Sequence, residues 1–262
     1  MRSRSGRSSP VDADRGLRLT ALRQATALAV IVSITASALS HAPTSSAAAA
    51  TAPVQLSNEK TITRWAYAVT RGSAYSAPTT TAHRVGRLRF RTEDGFPEVY
   101  IVLASALDAR GAEWIHVRLP QQPNNVTAWV VRSALGDFHV VHTKLVVNRR
   151  TLRVRLYDHG HEIFQARVGV GKPSTPTPAG SFWIREKFRV AGSPLYGARA
   201  MGTAAYSRTL TDWPGGGIVG LHGTSEPNLI PGRPSHGCIR LENRDIKTLY
   251  ALTPVGTPLL IK

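Results

Sequence analysis

Residues 221–242 read Leu-His-Gly-Thr-Ser-Glu-Pro-Asn-Leu-Ile-Pro-Gly-Arg-Pro-Ser-His-Gly-Cys-Ile-Arg-Leu-Glu, and this stretch holds the only cysteine of the chain. A cysteine nucleophile needs a thiol that can lose its proton, access to solvent, and backbone N–H groups aimed at the developing oxyanion. Gly237, directly before Cys238, lets the chain turn sharply and a substrate come close. The N–H groups of Gly237 and Cys238 are therefore candidates for an oxyanion hole. His222 closes the apolar run Ile218–Leu221, so a strand ending there presents its imidazole beside Cys238 as a general base. Gly223 has no side chain, which leaves a backbone carbonyl, such as its own, to orient the ring.

Working outward, short apolar stretches are separated by turn residues. Trp65–Thr70, Val85–Phe90, Glu98–Ala104, Trp114–Leu119 and Ala128–Val131 read as strands of a small all-β barrel. The closing pair, Glu113–Leu119 and Ala128–Val131, resembles bacterial SH3-like domains. Trp114 and Trp129 are expected as packed strand aromatics, with a ligand groove as the alternative. A second β-rich unit begins near His139, with strands over His139–Val147, Thr151–Tyr157, Glu162–Val170 and Ser181–Arg185. Asp158–His161 reads as a surface turn rather than a metal site. Lys172–Gly180 is a Pro-rich turn. Val190–Gly217 lacks periodicity and is expected as a long loop walling a substrate cleft, with Tyr196, Met201, Tyr206 and Trp213 as its aromatic and apolar residues. Asn243–Leu252 has helical spacing with Asn243 as N-cap, and Thr257–Lys262 closes as a strand.

The chain has 262 residues, 42% of them hydrophobic, and a formal net charge of +17. That composition supports a packed core and draws the protein towards polyanions. A lone cysteine rules out an intramolecular disulfide framework. Six arginines precede residue 24, and the apolar run Ala25–Leu39 is short for a spanning helix, which needs ~20 residues. With the Ser/Ala tract at 45–50, residues 1–48 read as an export signal, or else an uncleaved membrane anchor. Either reading puts the remainder outside the cytoplasm. Residues 49–60 follow as a linker, 61–138 as the SH3-like unit and 139–262 as the second unit. Nucleic acid is disfavoured as a partner, since no binding motif accompanies the charge. An anionic cell wall fits it.

Ser235-His236-Gly237-Cys238-Ile239-Arg240, preceded by His222-Gly223-Thr224, resembles the signature of YkuD-type L,D-transpeptidases. Residues 175–180, 196–200 and 256–261 fall where that family has similar motifs. The resemblance implies a mainly β protein, an SH3-like barrel followed by a β-rich catalytic domain with one short C-terminal helix. It also implies that Cys238 attacks a peptidoglycan stem peptide, with His222 and the Gly223 carbonyl as partners. Ser235, His236 and Gly237 would shape the oxyanion hole, and Arg240 would hold the loop or a substrate carboxylate. Release of D-alanine leaves an acyl-enzyme that an amine of a second stem resolves. No metal or other cofactor is implied, and acylation by carbapenems is expected.

Three readings of the residues compete with this one: a buried inert cysteine, a zinc site of His222, His236 and Cys238, and a non-catalytic wall-binding protein. Water in place of the amine would make the enzyme a carboxypeptidase.

Overall fold

The computed structural model describes residues 51–190, 194–210 and 217–262. The expected export signal and Trp213 lie outside these residues. In chain order the strands are β1 (Val54–Gln55), β2 (Thr63–Tyr67), β3 (Ser73–Tyr75), β4 (Arg84–Arg87), β5 (Val99–Leu107), β6 (Glu113–Arg118), β7 (Thr127–Val131), β8 (His139–Val141) and β9 (Thr143–Asn148). There follow β10 (Arg153–Asp158), β11 (His161–Arg167), β12 (Gly169–Gly171), β13 (Gly180–Arg189), β14 (Arg199–Tyr206) and β15 (Ile218–His222). The chain ends with β16 (Gly232–Ser235), β17 (Ile239–Arg240), helix α1 (Asn243–Leu252) and β18 (Pro258–Ile261). The protein is mainly β, with one short α-helix near the C-terminus among the described residues.

The first sheet is antiparallel, in the order β4-β3-β7-β6-β5-β2-β8, with β1 added on β5. The second runs β11-β10-β9-β18-β13-β14-β15-β17-β12-β16 and contains parallel pairs at β9/β18, β15/β17 and β12/β16. Two details differ from the sequence reading. Val54–Gln55, inside the expected linker, pairs with β5. His139–Val141, expected to open the second unit, pairs with β2 of the first sheet, and a new strand starts at Thr143.

Both sheets belong to one compact unit, Ser46–Lys262. The reason lies in β5. Side chains alternate across a strand, and here both faces are buried. Tyr100 and Val102 face a core made within the first sheet, around Ile115, Val117 and Val130. Val99 and Ile101, with Trp65 of β2, join the core of the second sheet, among Leu145, Phe182, Trp183 and Leu259. The Trp183 indole N–H donates to the Val99 carbonyl at 2.9 Å. Trp65 lies over Gly256, where a Cβ would come within 2.1 Å of the ring. Asn124 bonds both the N–H and the carbonyl of Tyr206, at 2.9 and 2.8 Å. Trp114 and Trp129 pack in a small cluster with Ala106.

An ion-pair network crosses the same interface. Glu98, at the head of β5, and Arg185 of β13 have fully buried side chains and are paired through both oxygens of the carboxylate. Glu93 takes a further Arg185 N–H at 2.8 Å, and Arg89 donates to Glu93 and Glu98. A buried charge is tolerable only when paired and hydrogen-bonded. Arg185→Ala strands Glu98 without its closest countercharge, and we expect a loss of about 3–5 kcal/mol. Denaturant unfolding at neutral pH checks this; a loss within the range of an ordinary surface change, about 0.5 kcal/mol, would contradict it.

Candidate functional site

Two adjacent strands carry the site. β15 and β17 run parallel with Leu221 opposite Ile239 and His222 opposite Arg240, so the imidazole and the thiol of Cys238 project from neighbouring strand ends. Both line two cavities that meet at them, one of about 260 Å³ and one of about 520 Å³.

The loop before β17 is held by its own hydrogen bonds. Ser235 Oγ donates to the Cys238 carbonyl at 2.6 Å and accepts the Gly237 N–H at 3.1 Å. Gly237 sits at φ +128°, a conformation L side chains rarely adopt. Its carbonyl takes a bond from Thr177 Oγ1 at 2.7 Å, while the same oxygen accepts the Gly171 N–H at 2.9 Å. Thr177, in the Pro-rich turn after β12, is thus a supporting residue that the sequence reading noted only as part of a motif. The Gly237 N–H also differs from expectation. It donates to Ser235 Oγ at 3.1 Å in this structure.

His222 is buried, and its Nδ1 lies 2.6 Å from the Gly223 carbonyl. A carbonyl only accepts, so Nδ1 carries the proton and Nε2 presents a lone pair. Burial pushes the imidazole down to about 4, the Gly223 bond opposes that, and Arg240 adds to it. Burial pushes the Cys238 thiol up, against smaller downward pulls from the Gly220 N–H and Arg240. Both shifts favour the neutral thiol–imidazole pair over thiolate–imidazolium in the resting site. The Gly220 N–H points at Sγ from 3.5 Å. The Tyr196 ring packs edge-on against His222 at 4.8 Å, so Tyr196 does wall the site.

Arg240 pairs with Glu226 at 2.9 Å and lines the smaller cavity, and its buried Nε has no partner. His236 is exposed on the rim of that cavity. Asn243 is not the N-cap of α1; Glu242 is. The Asn243 amide instead accepts the Thr224 N–H and donates to the Thr224 carbonyl, at 3.3 and 2.9 Å, fixing the turn after His222. Gly197 and Gly223 flank that amide, and a Cβ on either would approach it to about 2 Å. The stretch expected as a long loop contains β14, so Met201 is a buried strand residue and Tyr206 bonds into the Arg185 network. Among the described residues no group of three or more His, Cys, Asp or Glu is arranged to hold a metal ion.

A cysteine beside a tautomer-fixed histidine, at the junction of two cavities, suits covalent acyl transfer. Residues 142–261 match the family model for the L,D-transpeptidase catalytic domain, YkuD. The chain is similar to a putative L,D-transpeptidase YkuD of Bacillus subtilis, at 31% identity over 134 residues, covering 50% of this chain and 73% of the relative. It is 35% identical over 111 residues to a putative L,D-transpeptidase YkuD of Bacillus licheniformis, covering 42% and 59% of the two chains. A probable L,D-transpeptidase YbiS of Escherichia coli is 30% identical over 138 residues, covering 45% and 44%. The chain thus spans about half the length of these last two relatives.

The neutral resting pair has a readable consequence. Alkylation of Cys238 by iodoacetamide should climb with pH beyond the ordinary thiol range, about 8.5, without a plateau near neutrality. A rate already flat between about pH 6 and 8 would reveal a standing thiolate and contradict the neutral pair.

Proposed function

We propose that this chain, a member of the YkuD-type L,D-transpeptidase family, is an exported peptidoglycan L,D-transpeptidase that uses Cys238 as its nucleophile. The observation that carries the reading is the His222 imidazole, with Nδ1 held by the Gly223 carbonyl and Nε2 left to take the thiol proton beside Cys238.

The reaction follows from that arrangement. Nε2 of His222 takes the thiol proton as Sγ attacks the carbonyl between residues three and four of a tetrapeptide stem. The Cys238 N–H stabilises the oxyanion, since the Gly237 N–H is engaged by Ser235. The C–N bond breaks, His222 returns the proton to the leaving amine, and D-alanine departs. A neutral amine of a second stem then attacks the thioester. The new C–N bond forms, the C–S bond breaks, and the amine's proton passes through His222 back to sulfur. The product is a 3→3 cross-link. The unpartnered Nε of Arg240, on the wall of the smaller cavity, suits a carboxylate or carbonyl of the donor stem.

Mass spectrometry tests the donor half directly. A carbapenem or a disaccharide-tetrapeptide should add to Cys238, with D-alanine released in the second case, and Cys238→Ala should abolish adduct and 3→3 dimer alike. Undiminished product from Cys238→Ala would sink the reading. A product that is only tripeptide would make water the acceptor.

Retention at an anionic cell wall is part of the same proposal. Arg71, Arg84, Arg87, Arg89 and Arg91 surround one cleft of about 500 Å³ on the first sheet, with no carboxylate among its lining residues. Salt should therefore release the protein from isolated walls, and an Arg84→Glu/Arg87→Glu variant should bind them less. Salt-insensitive binding would count against it.

A further inference from the structure

Three separate parts of the chain meet at the turn after His222. The turn itself is Gly223 and Thr224. Against it lie Gly197, which follows the short turn Pro194–Tyr196, and Asn243, the first residue of α1. Gly197 sits at φ +64°, and a Cβ on it would come within 2.7 Å of the Gly223 Cα. Asn243 Oδ1 covers both glycines, 2.0 and 2.1 Å from the two added Cβ positions. Side chains are excluded there, so the amide reaches the backbone of the turn directly. Asn243 is an exposed residue, yet its amide spends both groups on Thr224. Oδ1 accepts the Thr224 N–H at 3.3 Å, and Nδ2 donates to the Thr224 carbonyl at 2.9 Å. The pair of bonds fixes which way round the amide lies, since only its nitrogen donates. The helix gains nothing from them, because no side-chain bond caps α1.

The Thr224 N–H and the Gly223 carbonyl belong to one peptide unit. A trans peptide is planar, so its N–H and C=O point in opposite directions and turn only together. Asn243 Oδ1 holds the N–H end of this plate. The carbonyl end lies 2.6 Å from His222 Nδ1. Thr224 is 1% exposed and its Oγ1 accepts the Glu226 N–H at 3.0 Å, which ties down the chain beyond the plate. A peptide that donates at its N–H also carries more negative charge on its carbonyl oxygen, which strengthens the bond to Nδ1–H. The line of bonds thus runs from the Asn243 amide through one peptide to the imidazole beside Cys238.

We propose that Asn243 is a positioning residue for the acyl-transfer reaction: through the Gly223–Thr224 peptide it aims the carbonyl that holds His222 in its Nδ1–H form. The inference rests on the acyl-transfer reading above and adds a side chain to the cysteine–histidine pair. In that reading His222 offers the Nε2 lone pair to the thiol, whereas the other tautomer would present an N–H there. A carbonyl that follows a glycine is free to swing, because glycine restricts rotation least. Asn243 removes that freedom without introducing charge. Neutrality suits the site: burial pushes His222 down to about 4, and a carboxylate at Nδ1 would raise it again. Nε2 therefore remains a free base near neutral pH. By packing on Gly197 as well, the same amide fixes the turn that brings the Tyr196 ring edge-on to His222 at 4.8 Å.

The test uses the full chain, with nitrogen NMR of labelled histidine to read the His222 tautomer and mass spectrometry to follow Cys238. Near neutral pH the unaltered protein should show a protonated Nδ1 and a bare Nε2. Asn243→Ala frees the peptide, so an Nε2–H population should appear. Acylation of Cys238 by saturating carbapenem should slow about tenfold, with the half-saturating concentration unchanged. Asn243→Asp keeps an acceptor for the Thr224 N–H and should retain the Nδ1–H form and most of the rate. A tautomer unmoved by Asn243→Ala overturns the proposal, as do equal losses in both variants that follow their melting temperatures. If Asn243→Ala does not fold, Asn243→Asp decides: loss of the Nδ1–H form in that variant overturns the proposal, and its retention with near-normal acylation supports it. The tautomer is read without substrate, so its failure is distinct from that of the acyl-transfer reading, which falls if the unaltered chain takes up no carbapenem.

Discussion

The pairing of Glu98 with Arg185 is the constraint on which the rest of the molecule turns. Both side chains are fully buried. A carboxylate taken from water loses hydration that only a well-placed countercharge restores, so β5 and β13 have to meet in one register. Once they do, Val99 and Ile101 fall into the second sheet's core, while Tyr100 and Val102 stay in the first. Apolar burial supplies most of the attraction between the sheets. The ion pair decides where they stop. Glu93 reaches the same guanidinium from the loop before β5, which places Asp94, one residue on, at the mouth of the catalytic cavity.

The motif loop is organised differently, by local bonds from Ser235 and by one from Thr177 in the Pro-rich turn after β12. Ser235 and Thr177 between them use the Gly237 N–H, the Gly237 carbonyl and the Cys238 carbonyl. Such a loop is preorganised before substrate arrives, and little ordering remains to be done in the transition state. The electrostatics agree with that economy. A neutral thiol and a neutral imidazole avoid holding a charge pair in a buried site.

Legibility in the sequence followed range. His222, Gly223, Ser235, Gly237 and Cys238 sit within one stretch, and the strand-end placement of His222 and its carbonyl orienter could be read from neighbours. Strand β14 could not. Its sequence, Arg-Ala-Met-Gly-Thr-Ala-Ala-Tyr, is small and buried on both faces, so it shows no alternation. Asn243 looked like a cap because Asn before an apolar helix usually is one. Its amide was instead claimed by Thr224, a contact set by the turn after His222. The linker at 49–60 hid β1 for a related reason: two residues pairing with β5 leave no periodic trace. The acidic end of the cavity was the least legible. Thr92 and Glu186 are 94 positions apart and meet only through the sheet register.

Charge distribution gives that register a further meaning. The chain has 33 basic residues and 16 acidic ones, so an average surface cleft is positive. The arginine cleft on the first sheet follows that bias, and the catalytic cavity reverses it, with three carboxylates in its lining, of which Glu93 is paired with Arg185 and Arg89. Random placement in so basic a chain works against such a cluster, and Glu186 raises its cost by being buried without a donor at Oε1. A fold that only needed to join its sheets could have stopped at Glu98 and Arg185.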